Sequence, residues 1–196
     1  DLAVNAILLS WITTGFFLAS AMFAVPFGRI ADIYGMKKIF SYGIIILTIS
    51  TFLAAIAPTA EFLVLTRVFQ GVSSAMIFVT ALAIITSVFP PKERGKAIGI
   101  NMMASYTGLV LGPLLGGFLT QYLGWRSVFY FIVPLCLVVI ILVFWKMKGE
   151  WAASKDEKLD YWGTLLYIFM LSLVLIGFST ITETFGIVMV ILGIIG

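Results

Sequence analysis

An arginine and a glutamine lie within a long apolar run, residues 62–88. At the helical spacing i, i+3, i+4 and i+7, one face of this run carries Arg67, Gln70, Gly71 and Ser74. An arginine inside a membrane span costs about 2.5–3.5 kcal/mol on insertion scales, and such residues face protein or water rather than lipid. The pattern therefore predicts a polar helix face directed at a protein interior or a cavity.

A second placement of Arg67 is also compatible with the sequence. At a rise of about 1.5 Å per residue, Arg67 lies about 9 Å along the helix axis from Glu61. A long arginine side chain could extend over that distance to the membrane surface. The polar and small residues that share its face, Gln70, Gly71 and Ser74, favour the interior placement instead.

The rest of the composition excludes much enzyme chemistry and predicts a membrane protein. The chain has no histidine and one cysteine, Cys136, so we expect no disulfide framework, no metal site, no cofactor and no Ser-His or Cys-His pair. Apolar residues make up 62% of the chain and charged residues 11%, and the mean hydropathy is +1.15. A soluble domain has roughly 25% charged residues. These values predict an all-α bundle that crosses the lipid bilayer of the cell membrane several times.

Charged and proline-containing connections divide the sequence into seven apolar runs. The predicted spans are residues 6–27, 39–57, 62–88, 97–125, 128–147, 161–180 and 185–196. We expect residues 1–147 to form one bundle, 148–160 a cytoplasmic linker, and 161–196 a further pair of spans. The last run is incomplete, because about 20 apolar residues are needed to cross a bilayer.

Lysine and arginine alone set the predicted orientation. The first, third and fifth connections hold Arg29, Lys37, Lys38, Lys92, Arg94, Lys96, Lys146, Lys148, Lys155 and Lys158, and the alternate connections hold Arg126. We therefore expect the odd-numbered connections to be cytoplasmic and Asp1 to lie outside. A cytoplasmic N-terminus would then require an odd number of helices ahead of Asp1, most simply one. Because the basic residues are dispersed among the spans, they do not indicate a nucleic-acid partner.

The first basic connection also contains a single acid. It reads Gly-x-x-x-Asp-x-x-Gly-x-Lys-Lys, with its defining residues at Gly28, Asp32, Gly35, Lys37 and Lys38. A tight basic loop explains the glycines by positive φ and the lysines by topology. It does not explain Asp32, because a lone acid adds nothing to the orientation.

Residues 97–125 place glycine and proline where a soluble helix would carry leucine. Against alanine, each glycine costs a helix in water about 1 kcal/mol and a proline about 3 kcal/mol. In lipid the backbone has no other hydrogen-bond partner, and small residues permit close helix contact. The pattern predicts a groove for a partner helix, formed by Gly108, Gly112, Pro113, Gly116 and Gly117 and extended by Asn101 and Ser105. Pro113 predicts a kink, because the carbonyl of Leu109 loses its partner.

The first span has a mildly polar face. Ser10, Thr13 and Thr14 fall at i, i+3 and i+4. This face could line a water-filled cavity. Equally, the hydroxyl groups could bond to carbonyls of their own helix.

Three of these segments, in order along the chain, resemble signature motifs of the major facilitator superfamily. Residues 28–38 are similar to the loop between the family's second and third helices, although two basic family positions are Ile33 and Met36 here. Residues 63–75 resemble its fourth-helix motif, whose arginine is associated with proton coupling. Residues 108–117 match the fifth-helix motif of its antiporter branches.

The C-terminal part of the chain resembles one branch of that family. Trp125, Arg126, Phe129 and Pro134 are similar to the start of the sixth helix in its exporters. Residues 159–163, Leu-Asp-Tyr-Trp-Gly, resemble the drug-exporter branch with fourteen helices. The chain would then correspond to family helices two to six and an extra transmembrane pair.

The resemblance implies a secondary active transporter that exports amphipathic drugs or toxic compounds in exchange for protons by alternating access. The proton gradient would supply the energy, and the remainder of the same polypeptide would supply the second bundle. The loop of residues 28–38 would act as a latch that holds the outward-open state. All nine acids of the chain lie in connections or at span ends, so the proton-carrying group is expected outside this sequence.

Two other functions remain possible at this point. A carrier for a nutrient or metabolite would share the fold, and the glycine-proline motif would then be coincidental. An integral-membrane enzyme or assembly factor would need clustered polar catalytic groups near a membrane surface, whereas the acids and bases here have the pattern of ordinary loop charges.

Asp32→Asn tests the latch. The substitution removes the charge and keeps the size of the side chain, so we expect weaker dye export with unchanged insertion into the membrane. Efflux measured at equal expression checks this. Export at the level of the unaltered protein would show that Asp32 has no role in the latch.

Overall fold

The computed structural model describes residues 6–151, 159–179 and 184–195, all of them in helices or short connections. The helices are α1 (Ala6–Tyr34), α2 (Met36–Ala55), α3 (Ala60–Val88), α4 (Pro91–Leu123), α5 (Arg126–Lys146), α6 (Tyr161–Ser179) and α7 (Thr184–Ile195). Several residues of the predicted features lie outside the described part, namely Asp1, Lys155, Asp156, Glu157, Lys158, Thr180, Glu183 and Gly196.

The predicted all-α fold is confirmed for the described residues. Helices α1 to α5 are each long and apolar enough to cross a membrane. Helices α6 and α7 are shorter and equally apolar, so their lengths leave the predicted extra pair of spans untested.

Two connections are shorter than the sequence predicted. Helix α1 continues to Tyr34 and α2 starts at Met36, so residues 28–38 form the last turns of α1 and the first turn of α2 around a single break at Gly35. Gly35 has φ +114°, a conformation that strongly favours glycine, whereas Gly28 remains helical. The expectation of positive φ at both glycines was therefore wrong for Gly28.

The predicted charged loop at residues 90–96 is also wrong in its extent. Helix α4 begins at Pro91, and most of these residues form its first turns. A proline suits the first helical position because its missing N–H would have no partner there. Glu93 in the first turn suits the positive end of the helix dipole.

Helices α1 and α3 pack closely through residues with small side chains. A methyl group added at Gly71 would overlap the main-chain carbonyl oxygen of Phe16 and would lie 2.9 Å from the Cβ of Ala19. Gly15 faces Val68 in the same interface, where an added methyl would lie 3.4 Å from its Cγ2. In lipid, where hydrophobic burial does not drive helices together, such close van der Waals contact holds the pair.

Helix α2 packs on another face of α3 in the same way. A methyl group added at Gly43 would lie 3.0 Å from the Cβ of Met76 and 3.2 Å from the carbonyl oxygen of Ser73. The buried hydroxyls of Ser73 and Thr80 donate to main-chain carbonyls of α3 itself, at 2.9 Å and 2.5 Å. Both hydroxyls therefore keep a hydrogen-bond partner although they are buried between helices.

Helix α4 lies at the edge of the described bundle. None of its residues is buried, and it contacts only α3 and α5 among the described helices. Nothing described lies within 4 Å of a methyl group added at Gly108, Gly112, Gly116 or Gly117. The predicted groove therefore has no partner helix in the described residues, and its role remains a prediction.

Helices α6 and α7 pack mainly on each other. A methyl group added at Gly177 would lie 2.7 Å from the carbonyl oxygen of Gly186, and one added at Gly193 would lie 2.7 Å from that of Met170. Asp160 caps the start of α6, because its carboxylate accepts a 2.9 Å hydrogen bond from the N–H of Gly163. Of the described helices of the larger bundle, only α1 contacts this pair.

Gly71→Ala tests the close approach of α1 and α3. The added methyl group must displace the backbone of Phe16, so we expect a loss of stability of about 1–3 kcal/mol. The measurement is the melting temperature of the full protein in detergent. Gly99→Ala on α4 is the matched control, since nothing described lies within 4 Å of its added methyl group. Equal melting temperatures for the two variants would contradict the packing.

Candidate functional site

A cavity of about 830 Å³ lies between α3 and α4 and is bordered by α1, α2 and α5. Most of its wall is apolar and aromatic, including Phe16, Leu47, Ile77, Phe78, Leu82, Met102, Tyr106, Leu109, Phe129 and Ile132. The polar side chains in the lining are Thr51, Arg67, Gln70, Ser74, Asn101 and Ser105. A cavity of this size, with apolar walls and a few convergent polar groups, has the properties of a small-molecule site.

Arg67 is held at the cavity wall by three groups. Its Nε donates to the carbonyl oxygen of Ile12 at 3.1 Å, and Nη1 donates to Oε1 of Gln70 at 2.7 Å. The guanidinium carbon lies 4.5 Å from the centre of the Phe16 ring, a cation–π distance. Arg67 thus bonds across to α1 and along α3, which agrees with the interior placement rather than with extension to the surface.

Gln70 extends this polar contact to a third helix. Its side chain is only 3% exposed, and Nε2 donates to the hydroxyl oxygen of Thr51 on α2 at 2.9 Å. Thr51 is itself 1% exposed. The side chains of Arg67, Gln70 and Thr51 therefore form a hydrogen-bonded chain from α3 to α2, and the Ile12 carbonyl links it to α1.

Besides Arg67, the cavity lining contains four other polar residues that the sequence patterns of α3 and α4 indicated. Gln70 and Ser74 line the cavity from α3, and Asn101 and Ser105 line it from α4. The Ser105 hydroxyl donates to the carbonyl oxygen of Asn101 at 3.0 Å. Gly71, predicted on the same face of α3, is absent from the lining and contacts the α1 backbone instead.

The polar residues of α1 lie elsewhere. Ser10, Thr13 and Thr14 are exposed, and the cavity lining does not include them. Helix α1 contributes the Phe16 ring and the Ile12 carbonyl to this region. A cavity role for the three hydroxyl residues remains a prediction.

Sequence reasoning missed Thr51 and the aromatic wall. Thr51 follows Thr48 and Ser50 within an apolar run, and this cluster of hydroxyl residues was an available signal. The cavity aromatics Phe78 and Tyr106 have no such signal, because aromatic residues occur throughout the spans.

Arg67 carries the one charge of the cavity lining in the described residues. The described acids are Asp32, Glu61, Glu93, Glu150 and Asp160, and none of them lines the cavity. The groups that contact the Arg67 guanidinium among the described residues are neutral oxygens and an aromatic ring. The cavity therefore favours electron-rich or anionic groups near Arg67 and apolar groups elsewhere.

The predicted latch residues gather around the break between α1 and α2. Asp32 is half-buried in the last turn of α1, and Lys37 and Lys38 lie in the first turn of α2. The backbone N–H groups of Lys37 and Lys38 donate to Oε1 of Glu150, a residue that follows α5. Among the described residues, the acid that contacts the start of α2 is thus Glu150.

Trp125 and Arg126 tie the start of α5 to the end of α2. Nη2 of Arg126 donates to the carbonyl oxygen of Ala57 at 2.8 Å, and its guanidinium lies 4.3 Å from the Trp125 ring centre. Trp125 also meets Phe129 edge to face at 6.1 Å. Trp125 and Phe129 pack against the buried cluster of Ala54, Ala57 and Leu63.

A bundle of membrane-spanning helices around an amphipathic cavity defines an integral membrane protein of the transporter class. Comparison with protein families agrees, since the family model of the major facilitator superfamily matches residues 1–195. The chain belongs to the major facilitator superfamily.

Individual relatives include proteins named for several substrates. The chain is 33% identical over 162 residues to multidrug resistance protein 3 of Bacillus subtilis, which covers 81% of the chain. It is 35% identical over 167 residues, 85% of the chain, to a puromycin resistance protein of Streptomyces alboniger. It is 27% identical over 179 residues, 91% of the chain, to the riboflavin transporter RibZ of Clostridioides difficile. These matches cover 31%, 33% and 39% of the relatives' own lengths.

Gln70→Leu tests the polar chain between the helices. The substitution leaves Arg67 without its side-chain acceptor and Thr51 without its donor, so we expect destabilisation of about 1–3 kcal/mol. Thr80→Val is the matched control, because Thr80 is equally buried in α3 but donates only to carbonyls of its own helix. Melting temperatures in detergent provide the comparison, and an equal loss for both variants would refute the special role of Gln70.

Proposed function

We propose that this chain is part of a proton-coupled exporter of amphipathic drugs or toxic compounds. The observation that carries the proposal is the cavity between α3 and α4, with aromatic and aliphatic walls and one polar chain of Arg67, Gln70 and Thr51. Apolar walls accept many hydrophobic shapes, because burial of apolar surface is non-directional. A single hydrogen-bonded cation then orients the polar end of the ligand.

The relatives support export over the other activities of the family. One is named for multidrug resistance and another for puromycin resistance, and both exceed 30% identity. The fifth-helix pattern of Gly108, Gly112, Pro113, Gly116 and Gly117 points to the same branch through its resemblance to antiporters. The chain spans about a third of these relatives, so the transport cycle belongs to the larger protein.

In the proposed proton coupling, this chain and the rest of the larger protein supply different charged groups. The described part of the cavity contributes a cation and no carboxylate. In this proposal, a carboxylate from another segment of the larger protein carries the proton. Arg67 then acts electrostatically, since a nearby positive charge lowers the pKa of a carboxylate. Substrate and proton compete when both need the same region near Arg67. Rocking of the two bundles exposes the cavity to each side in turn.

Dye efflux by the full-length protein in cells tests the proposal, with and without an uncoupler of the proton gradient. We expect efflux that the uncoupler abolishes. Arg67→Gln removes the cation and weakens the contacts with Ile12 and Gln70, so export should fall about tenfold. Arg67→Lys keeps the charge but loses the planar fork of donors, so its export should be intermediate.

Lys96→Gln is the control, since Lys96 is an exposed residue of α4 outside the cavity lining. It should export at the unaltered level. Efflux that is insensitive to the uncoupler, or full export by Arg67→Gln at equal expression, would contradict proton-coupled export through this cavity.

A second candidate is a carrier for a metabolite, and the riboflavin transporter among the relatives favours it. Flavins combine a flat aromatic ring system with a polar chain, which suits aromatic walls beside an arginine. Cells that express the full protein would then accumulate labelled riboflavin, whereas an exporter of unrelated drugs would not change riboflavin uptake.

A further inference from the structure

The segment that follows α5 folds back onto the start of α2. Oε1 of Glu150 accepts hydrogen bonds from the N–H groups of Lys37 at 2.8 Å and Lys38 at 3.4 Å. The carbonyl oxygen of Trp151 accepts a third bond, from the N–H of Met36 at 2.7 Å. Three successive N–H groups of α2 are thus bound by two successive residues that lie more than a hundred positions away.

These contacts supply hydrogen-bond acceptors that the residues next to the start of α2 do not provide. The first N–H groups of a helix have no partner within the helix. The residue in the capping position of α2 is Gly35, which has no side chain and makes no capping hydrogen bond. The Glu150 carboxylate takes over this role, and its negative charge matches the positive end of the α2 dipole.

Gly35 makes room for the contact. A methyl group added there would lie 2.5 Å from both Cδ and Oε1 of Glu150. Only glycine therefore combines the φ of +114° with space for this carboxylate. Trp151 secures the neighbouring position, because its side chain packs against the buried cluster that contains Met36 and Ile39.

A positively charged residue binds the C-terminal end of α2. The Arg126 guanidinium, at the start of α5, donates to the Ala57 carbonyl just beyond the end of α2. Cations are favourable at helix C-termini and anions at N-termini. Arg126 at the start of α5 and Glu150 just after its end therefore bind the two ends of α2, which runs antiparallel to α5.

We propose that Glu150 is a positioning residue for transport, which fixes the segment leaving α5 to the start of α2. The segment that carries Asp32, Lys37 and Lys38 then moves as one body with Glu150 and Trp151. A displacement of the C-terminal end of α5 during the transport cycle is therefore transmitted to the latch. This role rests on the proposed transport function, whereas the contact itself is tested independently of transport.

Hydrogen exchange of the full-length protein in detergent tests the contact. In Glu150→Ala we expect the amides of residues 36–38 to exchange about fivefold faster, because the helix loses its cap. Glu150→Gln keeps an acceptor oxygen and removes the charge, so its effect should be smaller. Glu93→Gln is the matched control: it removes an acid at the start of a different helix, α4, and Glu93 is exposed and should not affect α2.

A double-mutant cycle tests the pairing directly. Gly35→Ala alone forces its methyl group against Glu150, whereas in Glu150→Ala that conflict is absent. The loss of melting temperature caused by Gly35→Ala should therefore be smaller in the Glu150→Ala background, because the strain at φ remains but the overlap does not. Additive losses, or unchanged exchange at residues 36–38 in a folded Glu150→Ala protein, would overturn the contact.

A measurement of export distinguishes a positioning role of Glu150 in transport from a purely structural role. We expect Glu150→Gln to export several-fold more slowly at equal expression, while exchange in α3 stays at the unaltered rate. Full export together with fast exchange at residues 36–38 would overturn the positioning role. If the unaltered protein shows no export, the proposed function fails, and the exchange result still decides whether Glu150 caps α2.

Discussion

The close approach of α1 to the backbone of α3 at Gly71 is the contact on which the rest of the bundle depends. Gly71 lies one helical turn from Arg67, so the same approach places the Ile12 carbonyl and the Phe16 ring beside the guanidinium. With a larger side chain at Gly71, α1 would stand further away and Arg67 would lose both partners. Because Gly71 has no side chain, α1 packs closely on α3, and the same approach provides the partners of Arg67 beside the cavity.

Neutral partners around Arg67 give the site its electrostatic character. A cation in a membrane protein commonly pairs with an acid, and the pair then presents little net field. Here the described partners are a carbonyl, an amide oxygen and a ring, which stabilise the positive charge without cancelling it. Among the described residues, the positive charge therefore faces the cavity without a carboxylate partner.

Much of the fold could be predicted from the sequence, because apolar runs of sufficient length have few alternatives to helices in lipid. The helical spacing of Arg67, Gln70 and Ser74 predicted one shared face of α3, and all three residues lie in the cavity lining. Their role in transport stays a prediction. The contact of Glu150 with Lys37 could not be predicted, since no local pattern links residues so far apart. Gly28 and Gly35 look equivalent in the sequence pattern, yet Gly28 is helical, whereas Gly35 has φ +114° and faces the Glu150 carboxylate. Thr51 was missed because its importance comes from the α2–α3 contact rather than from its neighbours in sequence.

The pair of α6 and α7 has a consequence for how such proteins can vary. Its two helices meet through Gly177 and Gly193, and within the described residues it contacts the larger bundle through α1 alone. Removing the pair would uncover one side of α1 and leave the interfaces of α1, α2 and α3 intact. A unit with this independence can be gained or lost in a single insertion or deletion.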